Sequence, residues 1–128
     1  MMLELLAIAA LGAVGTLLRF HFGGYVHLTI NRVFLAQSQF PWGTLAVNVT
    51  GSLLLGLLAG GAESGRVSME TATIVGAGLC GSLTTLSAVT VDLAECVHGR
   101  QWGRLAVRLV GNVVPGLAAV WLGLWLAE

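Results

Sequence analysis

The stretch that decides the fold is Gly76-Ala77-Gly78-Leu79-Cys80-Gly81-Ser82-Leu83-Thr84-Thr85-Leu86-Ser87-Ala88-Val89-Thr90-Val91-Asp92. It sets three glycines and a run of hydroxyl residues inside a segment apolar enough to span a bilayer. Hydrocarbon tolerates interrupted backbone only where protein buries it or where it lines a polar path. The stretch therefore predicts a membrane helix that breaks partway, and a site for a small solute or ion at the break.

The rest of the chain agrees with a membrane setting. Of 128 residues, 56% are hydrophobic and 9% charged, against about 25% charged in a soluble domain. Net charge is zero, and all six basic residues are Arg. No basic stripe supports nucleic-acid binding. Cys80 and Cys96 fit no zinc spacing and imply no disulfide framework; they read as inert small residues. The start of the chain carries Glu4 and no early basic residue, so the first segment reads as a retained helix and not a cleaved signal.

Four spans account for all 128 residues as one membrane domain, at about 3–28, 42–61, 71–95 and 104–127. The apolar run 5–18 is short for the ~20 residues a span needs, so it continues past Arg19 through Phe20, Phe22 and Tyr25. Residues 31–39 read as a polar loop. Pro41 and Trp42 suit a first helical turn and a membrane interface. Residues 61–70 and 95–103 read as the other two loops. Gly56 to Gly60 and Ala77 to Gly81 are small-xxx-small patterns that let helices approach closely. Four thin helices enclose little interior, so a solute path would form most easily between subunits. That predicts an oligomer.

Polar residues inside the spans carry two readings each. Asn48 is costly in hydrocarbon unless paired or solvated; it is either interhelical glue or a donor lining a polar path. Thr84, Thr85, Ser87 and Thr90 bond back to the preceding turn, or join carbonyls and amides freed by the glycines in an ion site like those of discontinuous transporter helices. Arg108 near a helix end reads as snorkelling to the interface, with Asp92 or Glu95 as a possible partner. Arg19 fits a vestibule that concentrates anions. His21, His27 and His98 lie in or near the expected loops and make no metal pattern. No Ser/His/Asp set and no paired carboxylates stand inside a span, so the chain does not read as an enzyme.

Three motifs, taken together and in order, resemble the Fluc/CrcB fluoride channels. They are Gly12-x-x-Gly15-Thr-x-x-Arg19-Phe20, Pro41-Trp-Gly-Thr-Leu-x-Val-Asn48-x-x-Gly51 and Gly78-x-x-Gly81-Ser-Leu-Thr-Thr-x-Ser87. The resemblance covers the whole chain. It implies a dimer of antiparallel subunits in the bacterial plasma (inner) membrane, with two fluoride pores along the subunit interface and passive export of fluoride that entered as neutral acid. It implies a structural sodium ion at the dimer centre, held by the backbone carbonyls of Gly81 and Thr84. Asn48, Thr85, Leu86, Ser87 and Val89 take the pore positions, and Arg19 the vestibule. Fluoride is small and strongly hydrated, so its water must be replaced by hydrogen-bond donors or by electropositive ring edges.

The pattern departs at the pore itself. The family usually has Phe where this chain has Leu86 and Val89, and Thr where it has Ala88. Aliphatic side chains offer no electropositive edge. Either the chain forms a homodimer with a looser path, or it is half of a heterodimer whose other subunit supplies the rings. Arg32, Arg100 and Arg104 in the first and third loops, against Arg66 in the middle one, suggest a preferred insertion with the termini outside, which suits a fixed partner of opposite orientation. A non-conducting assembly subunit is a third reading. A small multidrug-resistance transporter would need a carboxylate within 5–18, where there is none.

Overall fold

The structure is a computed structural model and describes residues 1–33 and 40–128. Among the described residues the backbone is helical apart from short turns. Helix α1 spans Met2–Val33, α2 Trp42–Glu63, α3 Met69–Val75, α4 Gly81–Leu83, α5 Leu86–His98 and α6 Trp102–Ala127; a π-helical turn, Gly76–Cys80, joins α3 to α4. Four segments, 2–33, 42–63, 69–98 and 102–127, are long and apolar enough to cross a membrane.

Local chemistry sets the ends. Leu45 donates its amide to the carbonyl of Pro41 (3.0 Å), starting the α2 ladder directly after the proline. Gly65, at φ +71°, closes the turn after α2 in a conformation that suits glycine. Ser68 caps α3 by accepting from the Thr71 amide at 3.1 Å, and this starts α3 before residue 71. Thr85 caps α5 by accepting from the Ala88 amide at 3.3 Å. Between α4 and α5 the backbone is extended, at φ −74°, ψ 154° for Thr84 and φ −145°, ψ 120° for Thr85.

The helices run further than composition suggests. Asn31, Arg32 and Val33 are helical and do not belong to a loop, while 34–39 lie outside the described residues. His27 consequently sits well inside α1. Its Nε2 lies 3.0 Å from Asn31 Nδ2, one turn on. His98 likewise bonds the carbonyl of Ala94 at 2.9 Å and carries α5 into the stretch expected as loop. Polar side chains near these helix ends find a partner one turn back, Asn31 through Nδ2 and His98 through Nδ1, so the chain need not leave the helix to solvate them.

The most extensive seam joins α2 to α6. Gly56 faces the backbone of Val120, Gly60 faces Leu124 and Ala127, and Gly123 faces Leu53 and Leu57. On the other side, α1 lies against the π turn, where Gly78 meets Ile8 and Leu11, and crosses α2 where Gly23 and Gly43 touch backbone to backbone. Few side chains are fully buried, chiefly Val47, Cys80 and Cys96. Large apolar groups such as Phe20, Leu117 and Trp121 face outward, as a surface bathed in lipid requires.

Candidate functional site

The break in the third span is held open by one side chain. Asn48 of α2 accepts the Thr85 amide on Oδ1 at 2.7 Å and donates from Nδ2 to the Thr85 carbonyl at 3.2 Å. In a continuous helix the Thr85 amide would bond the carbonyl of Gly81. Here Asn48 takes the place of that partner and satisfies both polar groups of the Thr85 backbone, which could not remain unpaired in an apolar setting. A primary amide carries two N–H groups, so Asn48 is interhelical glue with one donor left over.

The hydroxyls divide into two groups. Thr84 Oγ1 bonds back to the Cys80 carbonyl at 2.9 Å, Ser82 Oγ to that of Gly78 at 2.6 Å, and Thr90 Oγ1 to that of Leu86 at 2.9 Å. These three serve the helix. Thr85 Oγ1 and Ser87 Oγ lie 3.0 Å apart at the amino end of α5. They stand beside the first turn of α5, and neither bonds back to a preceding carbonyl.

Two grooves meet at this break. The larger, about 610 Å³, is lined by Arg19, His27, Thr44, Thr85, Ser87 and Asp92 among others. The smaller, about 400 Å³, lies between α2, α5 and α6 and is lined by Asn48, Gly81, Thr84, Leu86, Val89 and Asn112 among others. Thr85 lines both. The residues expected at the site are thus divided: Arg19 and Ser87 in one groove, Asn48, Leu86 and Val89 in the other. Leu86 is 79% exposed, whereas Val89 is 6% exposed and packed into the protomer.

Gly81 and Thr84 both line the smaller groove. With Thr85 diverted to Asn48, the Gly81 carbonyl lacks its usual donor. Among the described residues no group of His, Cys, Asp and Glu could hold a metal ion. Carbonyl oxygens are therefore the ligands a cation would find there, and neutral oxygens suit a monovalent ion.

Arg108 does not snorkel. Its side chain is 13% exposed and donates to the Asp92 carbonyl at 3.1 Å, with the Asp92 carboxylate at 3.9 Å. The reason is that Asp92, one helix over, offers partners inside the protein. Arg104 instead bonds Gln101 at 2.6 Å. Two site residues carry little signal in the sequence. Asn112 is buried with Nδ2 on the Arg108 carbonyl at 3.0 Å and its Oδ1 without a partner among the described residues. His27 lines the larger groove, and its spacing of eight from Arg19 on one helix was the available clue.

Comparison with known proteins agrees along the whole chain. A family model described as CrcB-like protein, Camphor Resistance (CrcB), matches residues 6–124. The fluoride-specific ion channel FluC 1 of Streptomyces avermitilis is 39% identical over 92 residues, covering 72% of this chain and 74% of that one. The fluoride-specific ion channel FluC of Chelativorans is 37% identical over 130 residues, covering 99% and 98%. That of Novosphingobium aromaticivorans is 36% identical over 113 residues, covering 88% and 86%.

Proposed function

The chain belongs to the CrcB family, and from that premise we propose that it is a fluoride channel, or one subunit of one, in the bacterial plasma membrane. The observation that carries the reading is the Asn48–Thr85 bracket, which keeps the third span open where two grooves meet. An anion drawn in by Arg19 reaches the Thr85 and Ser87 hydroxyls, the unpaired amides that begin α5, and the spare N–H of Asn48. One hydroxyl of the Thr85–Ser87 pair keeps its O–H to give, and together these donors replace water that fluoride gives up. A helix amino end adds a fixed partial positive charge. Export is passive, down the gradient of fluoride.

The Gly81 and Thr84 carbonyls would hold a sodium ion at the centre of an antiparallel dimer. When bound, that ion supplies a fixed positive charge beside the anion path. Gly81 and Leu86 are exposed, which leaves this face open to a second subunit.

A second reading rests on a specific observation. Among the described residues no aromatic side chain lines the smaller groove, so this subunit offers no ring edge there. In a half-pore reading, a homologous subunit contributes the rings across the interface.

Fluoride efflux from liposomes containing only this purified chain, with chloride as control, tests both. Selective efflux identifies a self-sufficient channel. Efflux that appears only with a Phe-bearing partner identifies a half pore. If folded protein passes no fluoride in either setting, the channel reading fails.

A further inference from the structure

Arg19, Gly23 and His27 recur every four residues on α1, so they share one face, and all three line the larger groove. Across from them stand Asp92 and Ser87 of α5 and Thr44 of α2. The charges facing His27 come from two elements. Arg19 is on its own helix. Asp92 is on α5, within electrostatic reach of His27, Arg108 and Glu95. The α2 wall presents Gly43, Thr44 and Val47 and no charge. With His27 neutral, Arg19 and Asp92 oppose each other across the groove. With an imidazolium at His27, the groove is net positive.

His27 has Asn31, one turn on, as its immediate partner. Its Nε2 sits 3.0 Å from Asn31 Nδ2, while Asn31 Oδ1 is buried without a partner among the described residues. A neutral imidazole accepts from the amide at Nε2, and the amide oxygen stays orphaned. An imidazolium donates from both nitrogens. It meets the Asn31 amide through Oδ1 only after that amide turns by half a turn, as a neutral tautomer protonated at Nε2 would also require.

We propose that the larger groove is a proton-assisted capture site for a small monovalent anion, with His27 supplying the second positive charge beside Arg19. The proposal rests on the channel reading for its physiological use, not for its chemistry. One added charge several ångströms from the anion in a watery cleft raises occupancy about threefold, and added salt shrinks the effect.

Two measurements test it. The first is fluoride efflux from liposomes at about pH 5.5 and about pH 7.5, with protein-free vesicles subtracted, for wild type and His27→Gln. Wild type should run about threefold faster at the lower pH, and His27→Gln should show no such gain. Equal pH responses in the two proteins overturn the proposal. The second is an NMR titration of the His27 imidazole in detergent, in a His21→Gln/His98→Gln background, with and without sodium fluoride at fixed ionic strength. Because binding linkage is reciprocal, fluoride should make His27 hold its proton to higher pH; a titration indifferent to fluoride overturns the proposal. If folded protein passes no fluoride at either pH, the channel reading is what fails, and the titration alone decides the anion site.

Discussion

Along the α2–α6 seam, Gly56, Gly60 and Gly123 bring two helices into backbone contact while both stay helical, α6 even across Pro115, which has no amide to give. Along residues 76–85, Gly76, Gly78 and Gly81 accompany a π turn, and the ladder then stops at Thr84 and Thr85. Glycine is common to both regions, so glycine alone does not break a membrane helix. At the seam, each missing Cβ is replaced by a neighbouring backbone, and the glycines themselves release no polar group. At the break, backbone groups are released, and a side chain on another helix is ready to take them. Asn48 is the difference.

The sharpest way to break this comparison is to add one methyl group in each region. A Cβ at Gly56 would collide with the Val120 carbonyl, whereas one at Gly81 would find nothing nearer than the Gly76 carbonyl at 3.6 Å. Gly56→Ala should destabilise the protein by about 3 kcal/mol, the upper range for overpacking. Gly81→Ala should stay within about 0.5 kcal/mol. Thermal unfolding in detergent measures both. Comparable losses would mean that the region around Gly81 is packed as the seam is.

The next expected effect is at Asn48. Asn48→Leu removes the acceptor of the Thr85 amide and the donor to its carbonyl, leaving both unpaired, and should cost about 2 kcal/mol or more. Asn48→Asp keeps an acceptor for the Thr85 amide but has no N–H to give. It should retain more of the stability while fluoride flux falls about tenfold or more, since the donors are lost and a negative charge is added on the anion path. Comparing melting temperature with flux separates the two roles. If Asn48→Asp conducts like wild type, Asn48 is glue only, and the anion path lies elsewhere.

Much of this was legible because the bilayer is a strict solvent. Four runs of apolar residues, few charges and no soluble segment leave little freedom in fold class. The glycines and hydroxyls of residues 76–92 point to the third span as the special one. The pairing of Asn48 with Thr85 was less legible, since the two are 37 residues apart in sequence and only tertiary packing brings them together. Arg108 illustrates the same limit: its place near a helix end suggests the interface, and Asp92 on a neighbouring helix draws it inward. Helix ends were overcut because Asn31 and His98 look like loop residues until their one-turn hydrogen bonds are seen.

The smallest expected change in stability carries the most information about the pore. Leu86 and Val89 occupy equivalent positions in the sequence pattern, yet Leu86 is 79% exposed and Val89 6%. They are therefore not interchangeable sites for an aromatic ring. Leu86→Phe adds a ring on an open surface and should leave stability within about 0.5 kcal/mol. Val89→Phe adds volume at a buried position and should cost about 1–3 kcal/mol unless the ring can turn into the smaller groove that Val89 lines. A ring edge at position 86 adds an electropositive lining to the smaller groove, worth roughly a threefold gain in fluoride flux. Efflux and melting temperature of the two single variants, measured side by side, check this. A gain from Leu86→Phe at unchanged stability means that the aliphatic side chain limits conduction at the break. No gain from a folded Leu86→Phe protein means that the donors around Asn48 and Thr85 govern the path.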